Sequence, residues 1–257
     1  MDSGLFSAAS GMIARTLIQD VVGRNIANAS TTGYKRERVI NADFANVLTK
    51  TRALHPELRM KSGTYISDIV TDFSQGKIHE TGRPLDLSID GKGFFVVQGP
   101  NNEPYYTRDG SFQIGSNGQL VTKEGLPVLG TDGPIVLPGD TATTSLDKAL
   151  SISEDGSVYT FAGDPPVKQL VGRLKIVAFE QENSLERLGA GFYADFNGSA
   201  GSIQATGLIR QNTLEKPNFD IVQSMVEMLK NHRYYETGQK VISTIDQSFK
   251  SLFSVVG

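Results

Sequence analysis

The chain has 257 residues, 39% of them hydrophobic and 21% charged, with 25 basic against 28 acidic side chains for a formal charge of −3. That length allows one large domain or two smaller ones, and no apolar run approaches the roughly 20 residues of a membrane span, so direct membrane insertion is not expected. The absence of cysteine removes disulfides, thiolate nucleophiles and Cys-ligated metals, and the slight acidic balance gives no general attraction for nucleic acid or anionic lipid.

Proline breaks regular structure, and nine of the ten prolines fall between Pro84 and Pro217, with only Pro56 outside. Residues 82–139 alone hold eleven of the 27 glycines and six of the prolines. The two ends are therefore free to be helical and the middle is turn-rich. The N-terminal arm opens Met1-Asp2-Ser3-Gly4-Leu5, with an acid where a secretory signal carries Lys or Arg, and Arg15 and Asp20 interrupt any apolar run. No cleavable Sec signal is expected. Leu5, Ala8, Ala9, Met12, Ile13, Leu17, Val21, Val22 and Ile26 recur at three- and four-residue spacings, which predicts a helix from about Ser3 to Asn28. The turn formers Asn28-Ala29-Ser30-Thr31-Thr32-Gly33-Tyr34 should end it.

The middle carries short β-type runs at 85–89, 94–97, 105–107, 111–114, 119–122 and 174–179. Asp90-Gly91, Asp109-Gly110, Asn117-Gly118 and Asp155-Gly156 are tight-turn signals, because such pairs accept positive φ cheaply. Residues 70–212 read as a mainly antiparallel β domain, after an N-terminal helix and extended segment over 1–69 and before a C-terminal helix over 213–257. The fold class is α+β. In the last segment Ile221, Met228, Tyr235, Ile242 and Phe249 repeat at seven residues, with Met225, Ile245 and Leu252 filling second positions. That is a coiled-coil pattern, with Asn218 or Asp220 as N-cap. About 36 helical residues span roughly 54 Å, against a radius of gyration near 18 Å for a globule of this length, so such a helix needs a partner.

Catalytic motifs are absent. Gly91-Lys92-Gly93 stops short of a dinucleotide fingerprint, and His55, His79 and His232 share no metal-ligand spacing. No cofactor is expected. Asp86, Asp90 and Asp109 could pair as glycosidase acid and base, but solvated turn acids explain them better. Lys35-Arg36-Glu37-Arg38 reads as an exposed basic face, and His232 as a packed or interface residue of the C-terminal helix. The two apolar-striped helices could form an antiparallel pair within one chain or pack on copies of themselves. If copies pack head to tail without closing, the product is a helical filament, and the arms would be poorly ordered before assembly.

Arg24-Asn25-Ile26-Ala27-Asn28-Ala29-Ser30-Thr31-Thr32-Gly33-Tyr34-Lys35 resembles the N-terminal signature of bacterial flagellar rod and hook proteins, a helix end leading into Thr-x-Gly-aromatic-Lys. Residues 84–97, 106–112 and 118–122 resemble that family's β-domain motifs, and Arg233-Tyr234-Tyr235-Glu236 with Lys240-Val241-Ile242 its C-terminal helix. The short stretch between Phe44 and Gly63, and Gly163-Asp164-Pro165-Pro166 followed by 171–177, are most similar to the proximal rod type. Gly23-Arg24, His232 and Gly238 depart from the family's common residues. The resemblance implies a structural subunit, not an enzyme, of the basal-body rod outside the cytoplasmic membrane. Such subunits form a hollow tube with paired terminal helices inside and β domains outside, carrying torque and passing exported subunits. Its partners would be copies of itself, other rod proteins and the flagellar type III export apparatus, for which Phe44 to Leu48 is a candidate export motif. The alternatives are a distal rod or hook-like protein and, in another class, a β-domain carbohydrate-active enzyme or binding module.

Overall fold

In a computed structural model, which describes residues 2–43, 64–137, 150–162 and 167–256, the proline-free ends are helical and the middle is built of strands. The elements in chain order are α1 (Asp2–Ala27), β1 (Glu37–Asp43), β2 (Thr64–Thr71), β3 (Ile78–Glu80), β4 (Leu87–Asp90), β5 (Phe94–Gln98), β6 (Pro104–Thr107), β7 (Gln113–Ile114), β8 (Leu120–Val121), β9 (Leu150–Ile152), β10 (Ser157–Ala162), β11 (Val167–Arg173), β12 (Ile176–Phe179), β13 (Glu186–Gly189), β14 (Phe192–Ala194), β15 (Ser202–Gln204), β16 (Leu208–Gln211), β17 (Thr213–Glu215) and α2 (Ile221–Val256). This is an α+β fold with one long helix at each end. The chain divides into two units, one of residues 1–29, 36–72 and 219–257, the other of 30–35 and 73–218.

The first unit holds both helices and the antiparallel pair β1–β2, whose register shifts between Ile40 and Asn41. Asp220 starts α2: its Oδ1 accepts the Val222 and Gln223 N–H groups at 2.7 and 3.2 Å, as an N-cap does. The helices run antiparallel. A Cβ on Gly238 would lie 2.8 Å from Met12 Cγ, Asn231 Nδ2 donates to the Arg15 carbonyl at 2.7 Å, and the Arg15 guanidinium sits 4.6 Å above the Tyr234 ring. The intrachain pair is thus formed, the arrangement that the sequence left open beside packing on copies.

In the second unit a six-stranded antiparallel sheet of order β13-β14-β6-β5-β12-β15 accompanies a three-stranded sheet β11-β10-β9 and the two-stranded pairs β16-β4, β17-β3 and β7-β8. Its main core gathers Leu87, Ile89, Phe95, Val97, Phe112 and Leu174. A second cluster packs Phe94, Phe179 and Tyr193 at ring-centroid separations of 5.9 and 6.0 Å. Gly118 and Gly156 hold φ of +72° and +87°, as turn glycines should. Gly110 is required for another reason: a Cβ there would run into the Leu87 carbonyl.

Candidate functional site

Between residues 221 and 248 of α2, the buried or half-buried positions are Ser224, Met228, Asn231, Tyr235, Gly238, Ile242 and Ile245. Their alternating spacing of four and three makes one stripe. Met228, Tyr235, Ile242 and Ile245 are the apolar residues that periodicity selects; Ser224, Asn231 and Gly238 occupy the interleaved positions without an apolar signal. Met225, expected at a second position, is 48% exposed, because it lies one residue past Ser224 and off the stripe. Gly238 lets Met12 approach. On α1, Val21 is buried, Ala9, Met12, Leu17 and Ile26 are half-buried, and Ile13 is 71% exposed. Leu5, Phe249 and Leu252 fall within the helix spans, with their side chains outside the described residues.

Pairing leaves a second stripe uncovered. Val222, Val226 and Leu229 are 65%, 44% and 64% exposed and, with Met225, follow the i, i+3, i+4, i+7 pattern of one helix face; Ile221 is exposed as well. These four side chains put one apolar face of α2 in water. A cavity of about 360 Å³ in the same unit is walled by Ile18, Val22, Val39 and Tyr234 together with Arg15 and Lys230. His232 proves exposed, its Nε2 lying 3.5 Å from Glu236 Oε1; the stripe runs through Asn231 instead.

The segment after α1 is held by specific contacts. Asn25 Nδ2 donates to the Glu37 carbonyl and its Oδ1 accepts the Glu37 N–H, both at 2.9 Å. Ala27 closes the helix, Asn28 Nδ2 folds back to the Arg24 carbonyl at 2.8 Å, and Thr32 sits with Gly33 in the turn that the Tyr34 N–H closes onto the Thr31 carbonyl at 3.3 Å. Gly33 has φ +66°, and a Cβ there would run into the Arg108 carbonyl, so only glycine fits. Its N–H donates to the Glu215 carbonyl at 2.8 Å. Tyr34 is buried with the Arg187 guanidinium 4.5 Å above its ring.

Lys35 overturns the reading of the basic run as an exposed face, since its side chain is fully buried. Its Nζ donates to Glu215 Oε1 at 2.6 Å and to the Ser74 carbonyl at 2.8 Å. Glu215 Oε1 also accepts the Gly76 N–H at 2.7 Å, and its Oε2 lies 3.5 Å from Arg108 Nη1. Arg108 Nη2 donates to the Gly91 carbonyl at 2.9 Å. Burial pulls the Lys35 ammonium below the ordinary lysine range, Glu215 opposing and Arg108 reinforcing the drop. The Arg108 guanidinium is lowered by the same burial against the same carboxylate. Glu215 and Arg108 were not selected from sequence; Lys35 and Glu215 stand 180 positions apart, and no spacing rule links them.

The carboxylates weighed as a hydrolytic pair are engaged separately. Asp86 is buried beside Arg83 at 3.5 Å rather than solvated. Asp90 pairs with Arg210 at 2.6 Å. Asp109 Oδ1 accepts both the N–H and the hydroxyl of Ser111, at 3.0 and 2.5 Å, and burial raises its pKa. Cavities of about 510 and 340 Å³ in the β unit have no aromatic wall. Among the described residues no group of three or more His, Asp or Glu is arranged to hold a metal, and no helix is long and apolar enough to cross a membrane. Phe44 and Leu48 lie outside the described residues.

Three family models match: one described as flagella basal body rod protein over residues 5–35, one as the flagellar hook protein FlgE/F/G D1 domain over 88–160, and one as the flagellar basal body rod FlgEFG protein C-terminal over 210–255. The chain is 30% identical over 266 residues to the flagellar basal-body rod protein FlgG of Buchnera aphidicola from Acyrthosiphon pisum, covering 98% of this chain and 99% of that protein. It is 32% identical to FlgG of Borreliella burgdorferi, with 96% of each chain covered. The same figures, 32% identity and 96% of each chain, hold for FlgF of Salmonella typhimurium.

Proposed function

This chain belongs to the family of flagellar basal-body rod proteins, and from that premise we propose how it works as a structural subunit of the rod. The inner assembly surface is the α1–α2 pair, extended into coiled-coil-like packing against neighbouring subunits. The observation that carries this is the uncovered stripe Val222, Met225, Val226 and Leu229, which one chain pairing its own helices leaves in water. Ile13, 71% exposed, adds to the unmatched surface. The division of labour follows the chain: the N-terminal helix and the segment to residue 69 for polymerisation, the β domain over 70–212 for the outer body, and the C-terminal segment over 213–257, with α2, for polymerisation again. Subunits reach the rod through the type III export apparatus, with Phe44 to Leu48 as the recognised motif. They work mechanically, transmitting torque and leaving a lumen, without catalysis. Relatives named FlgG and FlgF are both similar to the chain; the short stretch between Phe44 and Gly63 supports the proximal position.

Val226→Asp tests the reading. Val226 faces water in the single chain, so the isolated variant should keep its circular dichroism and melting temperature. In the tube the charge would be buried unpaired, at a cost of several kcal/mol. Cells carrying only the variant should make basal bodies truncated at this subunit and should not swim; swimming at the parental speed would overturn the proposal.

A further inference from the structure

The β unit is entered or left after residues 29, 35, 72 and 218. The residues flanking these passages inside the unit, 30–35, 73–77 and 213–218, are not merely adjacent; they are laced to one buried carboxylate. Lys35 Nζ holds Glu215 Oε1 at 2.6 Å and the Ser74 carbonyl at 2.8 Å. Gly76 N–H donates to Glu215 Oε1 at 2.7 Å and Gly33 N–H to the Glu215 carbonyl at 2.8 Å. Lys216 N–H donates to the Lys77 carbonyl at 2.8 Å, and Asn218 Nδ2 reaches the Ser74 carbonyl and hydroxyl at 3.1 and 3.0 Å. Arg108 joins the carboxylate to the body of the unit through Gly91.

A buried charge cluster is a poor way to gain stability, because desolvation of each ion offsets most of the attraction. It is an effective way to hold direction. Charge-assisted hydrogen bonds are short and geometrically demanding, whereas apolar contacts let segments slide past one another at little cost. Two features add rigidity: a Cβ at Gly33 would meet the Arg108 backbone and one at Gly76 the Lys216 carbonyl, so backbones lie against backbones with no side chain between them.

We propose that the Lys35–Glu215–Arg108 cluster is a mechanical clamp that makes the three segments rooted in the β unit share any pull applied to one of them. Lys35 is a positioning residue in this device: its ammonium fixes Glu215 and Ser74 relative to each other. The rod reading supplies the origin of the force, but the clamp itself is testable on the isolated chain.

The natural chain has no cysteine, so handles can be placed at will for single-molecule pulling of the full-length protein. One pair, Ser30→Cys with Lys216→Cys, loads the cluster; a control pair, Glu103→Cys with Gln169→Cys, loads the sheets elsewhere. All four positions are exposed. Lys35→Met removes the ammonium while leaving Glu215 with Arg108. Along the first axis the segments of this variant should part about fivefold faster at fixed force, a barrier loss of about 1 kcal/mol, with the control axis unchanged. Equal slowing or quickening on both axes would show a general structural role and overturn the clamp, as would no change on the first axis. Asn218→Ala, which removes the peripheral tie to Ser74, should shift the first axis in the same direction to a smaller extent and keeps the test decisive if Lys35→Met folds poorly. Failure of Val226→Asp to block assembly would leave these outcomes untouched, so the two ideas fall separately.

Discussion

Replacing Glu215 with glutamine removes the carboxylate on which both buried cations depend. In the parent the cluster of Lys35, Glu215 and Arg108 carries a net charge of one positive, at side-chain exposures of 0%, 1% and 3%. Glu215→Gln raises it to two positives with no counterion in contact, the situation in which loss of one partner of a buried pair costs about 3–5 kcal/mol. Lys35→Met goes the other way, to zero: Glu215 keeps Arg108 and the Gly76 N–H. The Ser74 carbonyl keeps Asn218 Nδ2 at 3.1 Å, so the loss is about 1 kcal/mol, that of an ordinary hydrogen bond. For a unit of about 150 residues, each kcal/mol lowers the melting temperature by about 2–4 °C, giving drops of about 6–20 °C for Glu215→Gln and about 2–4 °C for Lys35→Met. The chain has eight tyrosines and no tryptophan, and Tyr34 and Tyr193 are buried in this unit, so near-ultraviolet circular dichroism reports its melting. If Lys35→Met proved as damaging as Glu215→Gln, the ordering by net buried charge would be wrong and the cluster would be held by packing.

Gly33→Ala should destabilise the β unit by about 1–3 kcal/mol, because φ of +66° strains any side chain and the new Cβ would run into the Arg108 carbonyl; a melting curve superposable on the parent's would refute that reason. Asp109→Asn keeps an Oδ1 acceptor for Ser111. Because burial raises the folded-state pKa of Asp109, the parent's folded state takes up its proton more readily than the unfolded one. The parent therefore gains stability as pH falls from neutral through the raised pKa to the ordinary value of 3.8, and loses it on the way back up. The asparagine variant should be at least as stable as the parent at pH 7 in urea titrations, with its advantage shrinking toward pH 4; a variant less stable at pH 7 would show that the Lys123 contact outweighs burial.

The ends of this molecule were legible because helices advertise themselves through periodicity. The heptad Ile221, Met228, Tyr235, Ile242 is a single-sequence signal, and Asp220 after Pro217 is a start signal. The interleaved Ser224, Asn231 and Gly238 were invisible because a close helix contact is made by small side chains as readily as by apolar ones, and hydrophobic periodicity counts only the latter. In the β unit, Asn117-Gly118 and Asp155-Gly156 marked turns for the right reason, positive φ. Gly110 was marked for the wrong one, since its constraint comes from Leu87, far along the chain. Lys35 is the clearest case of local reading failing. Among Arg36, Glu37 and Arg38 it looks like surface, and only Glu215, contributed by β17, explains why a lysine can be buried there.

In the proposed rod subunit, partial coverage of the helices reconciles a chain that pairs its own helices with one that polymerises. If α1 buried every apolar residue of α2, association would gain little; if it buried none, helices of this kind would be marginal in water. Here the stripe through Met228, Tyr235, Ile242 and Ile245 is satisfied internally, while Val222, Met225, Val226 and Leu229 remain for a neighbour. Burying apolar area at roughly 25 cal/mol per Å² then acts as binding rather than folding energy, and binding of a neighbour further stabilises the helices by mass action. The buried cluster at Glu215 belongs to the other unit, and as the proposed clamp it answers a different requirement, because surface that drives association does not by itself keep the segments of the β unit from slipping past one another under load.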